Sequence, residues 1–189
     1  MIVRELETTD RDALHAFFLS LSDETITQFN RFNGRLGPVN REPAARAMAD
    51  LQTSLISREP DEEQGWVAVE NFSFRDASGQ SGAVYSEIVG YGFLRFSPHR
   101  PTQKWTCSLG IVVKDEYQHH GVGSMLMAVM LTEAKKRGMR KIYLQCYSDN
   151  FAAIKLYRSC GFQLEAVFKK QEWLDDVPLE VDSWALFLR

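Results

Sequence analysis

Apolar positions along the chain follow two periods, and the switches between them mark the elements. Ala13, Leu14, Phe17, Phe18 and Leu21 recur at helical spacing, so "TTDRDALHAFFLSLS" reads as a helix that Thr9 or Asp10 can cap. A short strand, "IVREL", precedes it. A second helix is expected from about Glu42 to Ser57. Pro43 suits its first turn, and Ala45, Met48, Ala49 and Leu55 supply its apolar stripe. Between the two, "SDETITQFNRFNGRLGPVN" is mixed, with Asn33-Gly34 and Gly37-Pro38 as turn signals. The period then drops to two. "GWVAVE", "AVYSEIVGYGFLRF" and "KWTCSLGIVV" read as strands, separated by the loop "RDASGQSG" and the turn "PHRP". An apolar helical run follows "QHHGVGS" and ends near Gly138, a good C-terminal glycine. "KIYLQCY" is a strand, "NFAAIKLYRSC" a helix, and "GFQLEAVFKKQEW" and "LEVDSWALFL" are closing strands.

The order is β-α-α-β-β-β-α-β-α-β-β. The short connections of the middle strands favour antiparallel pairing. One β-α-β crossover follows, right-handed by the usual rule. This is an α+β pattern rather than a doubly wound sheet. With no repeat, low-complexity tract or linker, residues 1–189 read as a single domain. The last strand can pair within the sheet or across a homodimer.

Bulk properties narrow the function classes. The net charge of −3 gives the whole molecule no electrostatic reason to seek nucleic acid. Cys107, Cys146 and Cys160 form no CxxC pair and read as buried thiols in a reducing compartment. No Cys/His cluster has ligand-like spacing, so no metal is expected. The start "MIVRELETTD" lacks the apolar core of a signal peptide, and no apolar run approaches the ~20 residues of a membrane span. A cytoplasmic location, with no membrane partner, is the expectation.

The chemistry gathers around Gln118-His119-His120-Gly121-Val122-Gly123-Ser124. The first N–H groups of a helix lack internal partners, and the helix dipole makes that end positive. Glycine allows φ > 0 and close backbone approach, so a strand–glycine–helix passage suits an anion such as a diphosphate. An ordinary capped strand-to-helix loop has the same spacing. Two phosphate motifs are excluded. A P-loop needs a Lys that is absent, and the dinucleotide fingerprint needs a small residue where Leu126 stands.

Together with "NFAAIKLYRSCGF" one helix and one strand later, this segment resembles the GNAT superfamily of acyl-CoA-dependent N-acetyltransferases. Gln118 to Gly123 matches the family's Q/R-x-x-G-x-G/A. Asn150, Ala153, Leu156, Tyr157 and Gly161-Phe162 match its second block. The resemblance is firm over 91–168. It implies a mixed, mostly antiparallel sheet flanked by helices, with a β-α-β core that binds coenzyme A. It further implies an acetyl-CoA-dependent transfer to a primary amine by direct attack in a ternary complex. Backbone amides of residues 118–124 would hold the diphosphate, with a hydroxyl from Ser124. The main chain of Ile111, Val112 and Val113 would pair with the pantetheine arm. Asn150 and Ala153 would also border the cofactor, and Tyr157 would serve the leaving thiolate.

The strand before the glycines carries no carboxylate where many relatives have one; Ser108 stands near that place. Glu87 is the candidate base, with ordered water as the alternative. Asp115 and Glu116 read as loop surface. His120, Lys155 and Arg158 are candidates for the 3′-phosphate. The acceptor is expected between 17–58 and 170–181, where Phe29, Phe32, Trp173, Glu24, Asp175 and Asp176 suit a cationic amine. A regulatory acyl-CoA-binding domain without turnover is the rival reading.

Overall fold

The computed structural model describes residues 1–30, 41–58, 62–75, 81–174 and 176–188. Its strands are β1 (Ile2–Glu5), β2 (Glu63–Arg75), β3 (Ser81–Phe96), β4 (Thr106–Val113), β5 (Lys141–Tyr147), β6 (Gln163–Leu174) and β7 (Val177–Phe187). They form one sheet in the order β1-β2-β3-β4-β5-β7-β6. Neighbours are antiparallel except β4 and β5, which are parallel. The α+β class and the mostly antiparallel sheet expected from sequence are therefore present. β7 pairs on both sides within the chain, so the closing strand is taken up by β5 and β6 and leaves β6 at the edge.

Helices α1 (Arg11–Ser20), α2 (Asp23–Asn30) and α3 (Arg41–Arg58) cover one face of the sheet. Helices α4 (Val122–Lys136) and α5 (Phe151–Ser159) cover the other. Each face has its own core, because alternate strand residues point to opposite sides. Leu109 of β4 joins Val122, Leu126, Met127 and Met130 of α4, with Tyr157 of α5. Val112 joins Phe18, Ile26, Phe29 and Met48 on the opposite side.

Three local readings change. Asp10 does not cap α1 with its side chain. Its carboxylate instead receives two bonds from Arg4, at 2.6 and 2.7 Å, and one from the Glu7 N–H at 2.9 Å. Ala13 is exposed, while Leu14, Phe17, Phe18 and Leu21 are buried. The mixed stretch after Leu21 contains α2. The Ser22 hydroxyl accepts the Thr25 N–H at 3.1 Å, Asp23 and Glu24 occupy the first turn, and Ile26 and Phe29 are buried. Those are helix-start signals that the neighbouring turn residues obscured. Asn33-Gly34 and Gly37-Pro38 lie outside the described residues.

The sheet is tightly filled beside β4. A β-carbon on Gly110 would stand 2.3 Å from Phe93 Cε1, and Phe93 is fully buried. Gly110→Ala is expected to overpack this site and cost about 1–3 kcal/mol. Thermal unfolding should show a melting temperature lower by about 3–10 °C. An unchanged value would mean that the Phe93 ring has room to move.

Candidate active site

β4 and β5 part company soon after they meet. Their register covers only Thr106↔Lys141, Cys107↔Ile142 and Ser108↔Tyr143. Beyond that, both strands continue without pairing to each other. The direction of their main-chain groups follows from bonds at the two ends. Lys114 N–H bonds Val89 O at 2.9 Å, in register with Val112↔Tyr91, so the even residues of β4 bond β3. The odd residues, Leu109, Ile111 and Val113, therefore face β5. In the same way, Ser148 N–H bonds Glu180 O at 3.0 Å, so Gln145 of β5 turns its main chain toward β4, whereas Tyr147 O already accepts the Asn150 N–H at 3.1 Å. Backbone donors and acceptors thus look into the gap from both sides, where a buried group needs a partner.

This corrects one expectation. Val112 borders the gap, but its N–H and C=O belong to the ladder with Tyr91 and are not available to a ligand. Ile111 and Val113 keep groups toward the gap, although Val113 O already accepts Gln118 Nε2 at 3.3 Å.

The gap opens into a cleft of about 720 Å³. Its walls come from both faces of the sheet. Ala153, Leu156 and Tyr157 of α5 line it on one side; Glu24, Thr25, Gln28 and Phe29 of α2 line it on the other. The cleft therefore crosses the sheet between β4 and β5. Two helix N-termini meet it, through Gly121 before α4 and Asn150 before α5. Both present the positive end of a helix dipole to the same space.

The two glycines do different work. Gly121 is the N-cap of α4 at φ 85°, and a β-carbon there would meet nothing within 4 Å. Its requirement is conformational. Gly123 is helical, and a β-carbon on it would reach 3.1 Å from Leu156 Cδ2. Its requirement is close approach of α4 to α5. His119 also adopts a positive φ, 61°. No side chain caps α4, so its first N–H groups remain directed at the cleft end.

The remaining candidate residues divide clearly. Gln118, His119, Gly121, Gly123, Ser124, Asn150, Ala153 and Tyr157 line the cleft, with Ile111 and Val113. Val122 does not, because its side chain is fully buried in the core beneath α4. His120 does not either. It is exposed, and its Nδ1–H donates to Gln118 O at 2.7 Å. Asn150 Oδ1 accepts the Ala153 N–H at 3.0 Å, so this oxygen caps α5. Lys155 borders the cleft, whereas Arg158 lies over the Trp184 ring at 5.4 Å.

Glu87 is not in place to act as base. It accepts Lys114 Nζ at 2.5 Å and lies off the cleft. Strand alternation puts it on the rim of β3, where Lys114, just past the end of β4, can reach it. The carboxylates that do line the cleft are Glu24, Asp115 and Asp149. Asp115 is no idle loop residue. Burial would raise its pKa, but bonds from Ser22 and Thr25 outweigh this and hold it below the usual carboxylate value. Burial drives the Tyr157 phenol in the opposite sense, with Cys146 adding to the effect. Its pKa stands well above the ordinary value, so it stays protonated. Phe32 and Asp175 lie outside the described residues. Trp173 and Asp176 are exposed and away from this cleft.

A sequence profile of the acetyltransferase (GNAT) family matches residues 43–162. The chain belongs to the GNAT family. The [ribosomal protein bS18]-alanine N-acetyltransferase of Escherichia coli K12 is 38% identical over 60 residues, 32% of this chain and 40% of that protein. The L-amino acid N-acetyltransferase AaaT of the same strain is 36% identical over 89 residues, 46% of this chain and 54% of that one. The match thus spans about half or less of these curated relatives. A ribosomal-protein-alanine N-acetyltransferase from Brucella melitensis superposes with TM-score 0.69 at 21% identity, covering 100% of both chains. A phosphinothricin acetyltransferase from Sinorhizobium meliloti, solved with AcCoA, gives TM-score 0.70 at 18% identity, over 99% of this chain and 88% of that one. These likenesses establish the GNAT fold.

Among the described residues, no group of three His, Cys, Asp or Glu side chains could hold a metal ion, and no helix is long and apolar enough to cross a membrane.

The Asn150 cap allows a direct check. Asn150→Ala removes the acceptor for the Ala153 N–H and should cost about 1 kcal/mol. The melting temperature should fall by about 2–4 °C. A fall much larger than this would show that the side chain also organises the cleft.

Proposed function

We propose that this GNAT protein is an N-acetyltransferase that moves the acetyl group of acetyl-CoA to a primary amine within a ternary complex. The observation that carries the reading is the cleft through the sheet. It has an anion-suited helix terminus at one end, unpaired strand groups along its length, and a separate wall, α2, on the far face. A linear acyl donor and an amine can then meet from opposite faces without competing for space. The identities of the relatives, N-acetyltransferases of a ribosomal-protein alanine and of L-amino acids, support an amine acceptor.

Each chemical demand has a residue. Amides of 121–124 at the start of α4 accept the diphosphate. Main-chain groups of Ile111 and Val113 bond the amides of the pantetheine arm as an added strand would. A main-chain N–H of β4 that faces the gap stabilises the negative charge developing on the thioester carbonyl oxygen. Acetyl-CoA itself supplies an activated carbonyl. Tyr157, kept protonated by burial, donates a hydrogen bond to the departing thiolate, which takes up the proton that the amine releases. Glu24 on α2 replaces Glu87 as the carboxylate that attracts the amine, and water in the open cleft carries its proton away.

The absence of a carboxylate in β4, where Cys107 and Ser108 are both buried, favours one alternative, a domain that binds acyl-CoA without turnover. Two measurements decide. Acetyl-CoA at roughly 100 times its dissociation constant adds about 2.7 kcal/mol of stability. It should raise the melting temperature by about 5–10 °C. Gly123→Trp, which drives a side chain into Leu156 and the cradle, should abolish the rise. No rise in the wild type at millimolar acetyl-CoA would refute the donor site. Tyr157→Phe should lower turnover by about 100-fold or more while coenzyme A affinity stays within about twofold. Turnover at the wild-type level would remove Tyr157 from the chemistry, and binding without turnover in any amine screen would select the regulatory reading.

A further inference from the structure

The loop that leads into the glycine cradle is fastened to the helix that walls the acceptor side. Asp115 Oδ1 accepts the hydroxyls of Ser22 and Thr25, both at 2.7 Å, and Oδ2 accepts the Ser22 N–H at 3.0 Å. Ser22 in turn caps α2 through the Thr25 N–H at 3.1 Å. Three residues further along the loop, Gln118 Nε2 donates to Thr25 Oγ1 at 3.2 Å and to Val113 O at 3.3 Å. The first turn of α2 is thereby tied to both ends of the segment 115–118, and through Gln118 to the last residue of β4. Segment 115–118 runs directly into Gly121.

Among the described residues, α2 has few other polar anchors. Its apolar side is seated by Ile26 and Phe29, and Asp23 meets Arg41 at 3.3 Å. The cleft-facing residues Glu24, Thr25 and Gln28 depend for their position on the first turn. A carboxylate at that turn also complements the positive end of α2. Anything that immobilises the cradle loop must therefore restrict α2, because the same carboxylate is bonded to it three times.

Resting on the donor-site reading above, we propose that Asp115 is a positioning residue that couples the acyl-donor cradle to the acceptor wall. Occupation of the cradle fixes 115–124, and the Asp115 and Gln118 bonds transmit that order to α2. The acceptor site is then complete only when the donor is present. The latch consists of ordinary side-chain bonds, so it transmits order without a large displacement.

Hydrogen exchange with coenzyme A as the probe tests this without knowledge of the acceptor. The experiment compares wild type, Asp115→Ala and Asp115→Asn, each saturated with coenzyme A as judged by calorimetry. Exchange in β3 and in residues 127–136 of α4 that is equal in wild type and variants serves as the check on folding. In the wild type, amides of 118–124 and of α2 should both slow on binding, α2 by about fivefold or more. In Asp115→Ala the cradle should still slow, while the α2 response falls below about twofold. Asp115→Asn keeps the Oδ1 acceptor and should recover most of the α2 response. A cradle that slows without α2 in the wild type, or an α2 response equal in wild type and Asp115→Ala, overturns the coupling and leaves the donor site standing. No slowing in the wild-type cradle overturns the donor-site reading and the coupling with it.

Discussion

The main-chain groups left over where β4 and β5 separate are the constraint from which the rest of the structure follows. Three residue pairs join these strands, and then Leu109, Ile111 and Val113 face Gln145 across the cleft. Backbone polar groups inside a protein need partners, so a gap of this kind in mid-sheet is stable only if water or a ligand supplies them. An extended molecule bearing amides is the natural occupant. The helices then have to leave its path clear, which is why both α4 and α5 begin at the cleft rather than cross it.

Close approach and conformation are divided among neighbouring residues. Gly121 supplies a left-handed cap and Gly123 supplies proximity to Leu156, so a single glycine could not serve for both. His119 also takes a positive φ, and the turn of the chain before α4 is thereby spread over two residues. Val122, between the glycines, anchors the same turn into the core. Val122 thus points to the interior while Gly121 and Gly123 on either side of it border the cleft.

On the far face, α2 makes a helical wall from a stretch whose sequence looks irregular. Its hold on the molecule is partly apolar, through Ile26 and Phe29, and partly polar, through Asp115 and Gln118. The second part links the loop that leads into Gly121 to the α2 wall of the same cleft. Glu87 has the opposite fate. Lys114 holds it away from the cleft.

The sequence by itself determined the family and, of the described strands and α-helices, all but α2. Two-residue and helical periods located the seven described strands, α1, α3, α4 and α5, and two spaced motifs located the glycine turn before α4 and Tyr157. These are local properties, set by which side of a strand or helix a residue occupies, and they survive without neighbours. Tertiary structure alone decided which groups face one another. The parity that turns Val112 toward β3 and Ile111 toward the gap depends on register with two other strands. The burial that keeps Tyr157 protonated depends on the packing of α5 against the sheet. The bonds of Asp115 depend on Ser22 and Thr25, 93 and 90 positions away in the chain. Hydrogen bonds of that span leave no periodic trace in a single sequence, because each partner is locally an ordinary polar residue.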